Sequence, residues 1–240
     1  MIFDTYFDKT VAVLEKIRAT QREKIAEAAA VAQRTIEAGG IIYIFGCGHS
    51  HLIAMDNFYR AGGLCNVSPI LDVSLMLHDG AAKSSKLEKM PGLAENILER
   101  YCLTERDCLF VVSTSGKNAV PVEMAQIAVA NGVKTVSVVS SAYFADKKDA
   151  PMLYECSDLY IDNCVPHGDA VMDIEGCDTA MGSLSTVASA FIMQSVLLEA
   201  AELAMKQGKK PPIYRSGNVE GGAAFNKELI QQFIPKIKHL

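Results

Sequence analysis

The chain has 240 residues, half of them hydrophobic, and a formal net charge of −5. That length and apolar share exclude a disordered or fibrous chain and suffice for one large α/β domain with its own core. The acidic balance argues against a nucleic-acid partner, and seven cysteines without a C-x-x-C pair suggest neither a disulfide framework nor a zinc ribbon.

The cysteines read as reduced thiols of a cytoplasmic protein. Around Asp4, Asp8 and Lys9 the chain lacks the apolar core of a signal peptide. Phe3, Phe7, Val11, Leu14 and Ile17 recur at helical spacing, and Ile25, Ala28 and Ile36 resume the pattern. Residues 1–38 therefore form one long helix or two, ended by Gly39-Gly40. Ile41 to Phe45 is a buried strand that stops at the turn Gly46-Cys47-Gly48-His49-Ser50, after which an apolar-periodic helix runs from His51 to Ala61. Glycines let the backbone turn tightly and approach a ligand, and the N-terminus of the next helix favours an anion there.

Asn66 to Leu71 is a weaker strand, placed at the sheet edge by Pro69. Ser74 to Met90 reads as a surface loop and Leu93 to Tyr101 as a short helix. Cys108 to Val112 is a third strand, broken by Ser113-Thr114-Ser115-Gly116-Lys117-Asn118, and Pro121 to Ala130 is its helix. Lys134 to Val139 and Leu159 to Ile161 are the last strands. Repeated βα units predict a parallel sheet covered on both faces. Cys164 to Asp178 reads as irregular, Gly182 to Lys206 as a long helix and Asn226 to Ile234 as a final amphipathic one. Thr179 to Leu198 carries no charge and is long enough to span a bilayer. Its serines, and Glu199 and Glu202 just beyond, favour a buried core helix, so no membrane partner is expected.

The serine turn carries the functional signal. A single helix cap needs one hydroxyl, and here three stand in a row beside backbone amides, which suits the terminal oxygens of a phosphate monoester. Gly46-x-Gly48 alone would suggest a dinucleotide site with Asp72 on a ribose, but His51 occupies the third glycine position, where close helix packing excludes bulk. His49-x-His51 hints at a metal, but two such helical side chains point roughly 200° apart, so no metal or other cofactor is expected.

With these two turns the chain resembles the sugar-isomerase (SIS) domain family over about residues 30–207, and especially single-domain phosphosugar isomerases related to phosphoheptose isomerase. The resemblance implies a five-stranded parallel sheet of flavodoxin-like type with helices on both faces. It also implies a phosphorylated sugar at the carboxyl ends of the strands, and a homodimer or homotetramer. The expected organisation is one domain over 1–240: a helical segment (1–38), an α/β core (41–207) and a C-terminal loop and helix (211–240). The phosphosugar-binding set is then Gly48, His49, Ser50, Arg60, Ser113, Thr114, Ser115, Lys117 and Asn118.

Aldose–ketose isomerisation needs a base that moves a proton between adjacent carbons. Glu175, on the loop before the long helix, is the first choice, with His78 and His167 as alternatives for ring opening. Phosphoheptose isomerases resemble this chain in the glycine turn but carry a glutamate near the position of Arg60, so their mechanism does not transfer directly. Two other functions fit the same resemblance: an etherase acting on a sugar phosphate, and a phosphosugar sensor without turnover.

Overall fold

The computed structural model describes residues 1–240. Five parallel strands, β1 (Ile42–Gly46), β2 (Val67–Ile70), β3 (Cys108–Val112), β4 (Lys134–Val139) and β5 (Leu159–Asp162), lie in the order β2-β1-β3-β4-β5. This is the doubly wound, flavodoxin-like order, with its switch point between β1 and β3. In the register Ile42 faces Cys108 and Gly46 faces Val112, so the glycine and serine turns emerge side by side. Pro69 sits in β2, an edge strand, where a missing N–H costs least.

Strand alternation divides the core. Ile42, Ile44, Cys108, Phe110, Val112, Val136 and Val138 point to one face, and Ile41, Tyr43, Phe45, Leu109, Val111 and Val139 to the other. The first face is covered by α2 (Arg22–Glu37), α3 (His51–Asn57) and α7 (Ser185–Lys206), the second by α5 (Leu93–Leu98) and α6 (Ala119–Ala130). Ala28, Ala29 and Ala32 of α2 and Ala188 and Ala200 of α7 are buried in the first layer, and small side chains there allow close helix approach. The apolar helix α7 is long and hydrophobic enough to cross a membrane by composition, and here it serves as a core helix. The N-terminal segment is two helices, α1 (Ile2–Thr20) and α2, with Gln21 between them.

Four local expectations change. Ser74–Met90 is more than a loop: it contains α4 (Ala81–Leu87), and the buried Ser84 donates its hydroxyl to the Leu75 carbonyl at 2.8 Å. The irregular stretch after β5 includes β6 (Ala170–Met172), paired antiparallel with β7 (Met181–Ser183). Because β7 takes residues 181–183, α7 starts at Ser185, three residues later than its apolar pattern. A last helix, α8 (Gly222–Phe233), starts four residues before Asn226.

Candidate functional site: a serine turn and a half-buried carboxylate on one cavity

The glycine turn owes its shape to two glycines with different reasons. A Cβ on Gly46 would lie 2.6 Å from the Ser50 backbone, so only glycine lets the chain fold back this closely. Gly48 has φ of 55°, in the left-handed region. Its carbonyl accepts a hydrogen bond from Nδ1 of the buried His51; that ring braces the turn from behind.

The serine turn is tied at three points. Ser113 donates its N–H to Val138 at 3.0 Å, Ser140 donates to the Thr114 carbonyl at 2.8 Å, and Leu153 donates to the Gly116 carbonyl at 2.9 Å. Gly116, at φ of 60°, turns its own N–H onto the Ser113 hydroxyl at 3.3 Å. The N–H groups of Thr114, Ser115, Lys117 and Asn118 have no acceptor within the protein. Four free amides on one turn, at the start of α6 with its positive dipole end, form an anion cradle. The buried Asn163 donates to the Thr114 hydroxyl at 3.3 Å and holds it in place.

The cradle opens into a cavity of about 230 Å³. His49, Ser50 and Cys47 line it from the glycine turn, and Ser113, Thr114, Ser115 and Asn118 from the serine turn. Glu88, Tyr143, Asp169 and Ser185 complete the lining. Glu88 lies just beyond α4, and its own carbonyl accepts the Val120 N–H at 3.0 Å, which pins it to the first turn of α6. Burial raises the Glu88 carboxyl above the ordinary carboxylate range. Asp169, at φ of 62°, accepts the N–H groups of Leu184 and Ser185 at 2.9 and 2.8 Å and the Ser185 hydroxyl at 2.5 Å, and so caps α7 beside the cavity. Burial pushes the Cys47 thiol far up, with the charge of Glu88 second, so it fills the turn and is no thiolate nucleophile.

Of the residues expected from sequence, the structure brings His49, Ser50, Ser113, Thr114, Ser115 and Asn118 together around this cavity, with Gly48 shaping the turn. Others lie elsewhere. Lys117 reaches away to Asp146 at 2.6 Å, and His167 meets the same carboxylate at 3.0 Å while its ring lies 4.4 Å from Tyr143. These side chains brace the Tyr143 wall from outside. His78 stands edge-on to His51 at 6.4 Å, behind the glycine turn. Arg60, past the end of α3, is ion-paired with Asp56. Glu175 is exposed on the loop between β6 and β7, and the cavity is lined without it. Sequence reasoning missed Glu88, Asp169, Tyr143 and Ser185. Lys86-Leu87-Glu88-Lys89 has the composition of a solvated surface turn, and only its anchoring on α6 turns one carboxylate inward.

The profile of the SIS domain matches residues 5–140, more than half of the chain. The chain belongs to the SIS domain family. Among SIS relatives, a UPF0309 protein of Thermoanaerobacter pseudethanolicus is 38% identical over 243 residues, covering 98% of both chains. A second, from Listeria monocytogenes, is 38% identical and covers 98% of this chain and 97% of its own. Among solved SIS folds, a phosphoheptose isomerase from Francisella tularensis superposes with a TM-score of 0.58 at 16% identity, over 83% of this chain and 96% of that one. The sugar isomerase domain of an RpiR transcription factor from Sphaerobacter thermophilus gives 0.52 at 17% identity, over 95% and 97%. At these identities the likeness to solved structures is one of fold.

Proposed function

We propose that this SIS domain binds a phosphorylated sugar at the carboxyl ends of β1 and β3 and interconverts its aldose and ketose forms. The observation that carries the reading is the presence, on one cavity, of the unsatisfied amides of Thr114, Ser115 and Asn118 and a half-buried carboxylate, Glu88. The phosphate sits on the free amides of Thr114, Ser115 and Asn118 and the hydroxyls of Ser113, Ser115 and Ser50. The sugar carbons then lie between the two turns and Glu88. Glu88 takes the proton from the carbon beside the carbonyl to give an enediolate, the hydroxyl proton passes from one sugar oxygen to the other, and the same carboxyl returns its proton to the neighbouring carbon, so no atom is gained or lost overall. His49, on the cavity wall, hydrogen-bonds the sugar oxygen as its charge develops. In this reading Glu88 takes the role that the sequence pattern suggested for Glu175.

The experiment is calorimetric titration of aldose and ketose phosphates into the purified chain and its Ser113→Ala/Ser115→Ala variant. The variant should bind more weakly by about 1–3 kcal/mol, through lost hydrogen bonds to a charged group. Equal affinity in a variant that still folds removes the phosphate from the serine turn. A sensor reading draws on the RpiR sugar isomerase domain, which matches this chain almost end to end. It predicts the same binding with no chemical change in the sugar.

A further inference from the structure

A separate cavity lies at the other end of the sheet. Gly39, Gly40 and Ile41 lead into β1 and Thr104 to Asp107 lead into β3, so both segments sit at the strand starts, opposite the phosphate cradle. With residues 100–102 and 234–238 they enclose about 680 Å³, within the range of small-molecule sites. Four cationic side chains, Arg100, Arg106, Lys236 and Lys238, line it against the carboxylates of Glu105 and Asp107, in a chain that is acidic overall.

Asp107 is already committed to the fold. It accepts the Ile41 N–H at 2.7 Å on one oxygen and the Thr104 N–H and hydroxyl at 2.7 and 2.8 Å on the other. Arg100 leans toward Asp72 at 3.3 Å and Lys236 donates to the Gly39 carbonyl at 2.9 Å, while Arg106 and Lys238 have no ionic partner. The cavity wall also holds Tyr43, only 4% exposed, whose hydroxyl makes no hydrogen bond within the protein. The hydroxyl is the part of this buried residue left accessible, a free donor on the cavity wall. Tyr101 stands edge-on to Tyr43 at 6.3 Å and is buried with it, and Lys238 lies over the Tyr101 ring at 5.5 Å, which places that ammonium at the cavity wall.

We infer that this cavity binds a small organic phosphate of about the size of a nucleoside monophosphate. Its phosphate meets Arg106, Lys236 and Lys238, and a polar atom or sugar hydroxyl of its organic part meets the Tyr43 hydroxyl. A positive field at this spot accords with His239, whose pKa is lowered by burial and then by Lys238 and Arg100.

The test is calorimetric titration of AMP, GMP, CMP and UMP, and of inorganic phosphate, into the full chain. At least one nucleotide should bind with a Kd below about 1 mM and more tightly than phosphate alone, the contact of its organic part with the Tyr43 hydroxyl adding to the charge. Arg106→Glu with Lys236→Glu should weaken that binding by about tenfold or more, and Tyr43→Phe by a smaller factor, while Ser113→Ala/Ser115→Ala leaves it unchanged. In wild-type protein the same nucleotide should shift the ring resonances of Tyr43 and Tyr101, a reading that needs no charge-reversed variant to fold. The inference is overturned if none of the four binds below about 1 mM, if charge reversal leaves affinity intact in folded protein, or if the serine pair rather than the cationic pair abolishes binding. Resonance shifts confined to the serine turn overturn it equally.

Discussion

Glu88 carries an energetic signature that its burial dictates. Its carboxyl pKa is raised in the folded chain because the cavity strips water from the charge. Folding therefore favours the protonated form: the stability this group contributes is present below its unfolded pKa and is lost as pH rises through the folded one. At neutral pH the charge is a cost. Glu88→Gln should melt at a higher temperature than wild type at pH 7, and the gap should close on acidification to about pH 4, the unperturbed carboxylate range. Thermal melts across that window check it; a wild type that melts higher at pH 7 would mean that the carboxylate has partners compensating its burial. With Glu88 as the proposed base, the acidic limb of turnover should fall at a pH above the ordinary carboxylate range. The sequence pattern places the base at Glu175, because a loop carrying a carboxylate just before the long helix is long enough to reach the strand ends. The β6–β7 pairing, made of two three-residue strands too short to announce themselves, carries that loop into solvent.

Among elements, the turns were the most legible. β3 and β4 run over the expected residues, and the serine turn begins where the apolar run ends, because five or six consecutive buried residues followed by hydroxyls and glycine permit few other structures. The start of α7 was not legible, because Met181 and Gly182 extend its apolar pattern but are held in β7. What starts the helix is Asp169, sixteen residues upstream of Ser185, a long-range cap that no local pattern reveals. Asp169→Ala removes three hydrogen bonds, a charge at the helix start and a residue type suited to positive φ. It should cost about 1–3 kcal/mol, read as a lower denaturation midpoint in urea with an unchanged slope. A midpoint equal to wild type would show that α7 does not depend on this cap.

For the whole molecule, helices on both faces of the sheet bury two apolar layers, yet apolar side chains remain outside. Leu52 and Met55 on α3 and Val187, Phe191 and Leu198 on α7 are exposed, and α3 packs against α7, while α1 exposes Ile2, Phe3 and Phe7. Surfaces of this kind are normally covered by a second copy. Sedimentation at micromolar concentration should therefore give a dimer or larger species, and Phe191→Asp with Leu198→Asp should shift it toward the 25.9 kDa monomer. A wild-type chain that sediments only as that monomer contradicts self-association.

The central claim, a phosphosugar held on the serine turn while Glu88 moves its proton, is tested most directly by proton NMR in D2O. Aldose and ketose phosphates that bind the chain are incubated with wild type and with Glu88→Gln, and the loss of the signal from the carbon-bound proton beside the carbonyl is followed. The account predicts solvent deuterium at that carbon with wild type, and exchange slower by about 10²-fold or more with Glu88→Gln at unchanged affinity. Tight binding with no exchange by wild type, or exchange that survives in Glu88→Gln, contradicts it.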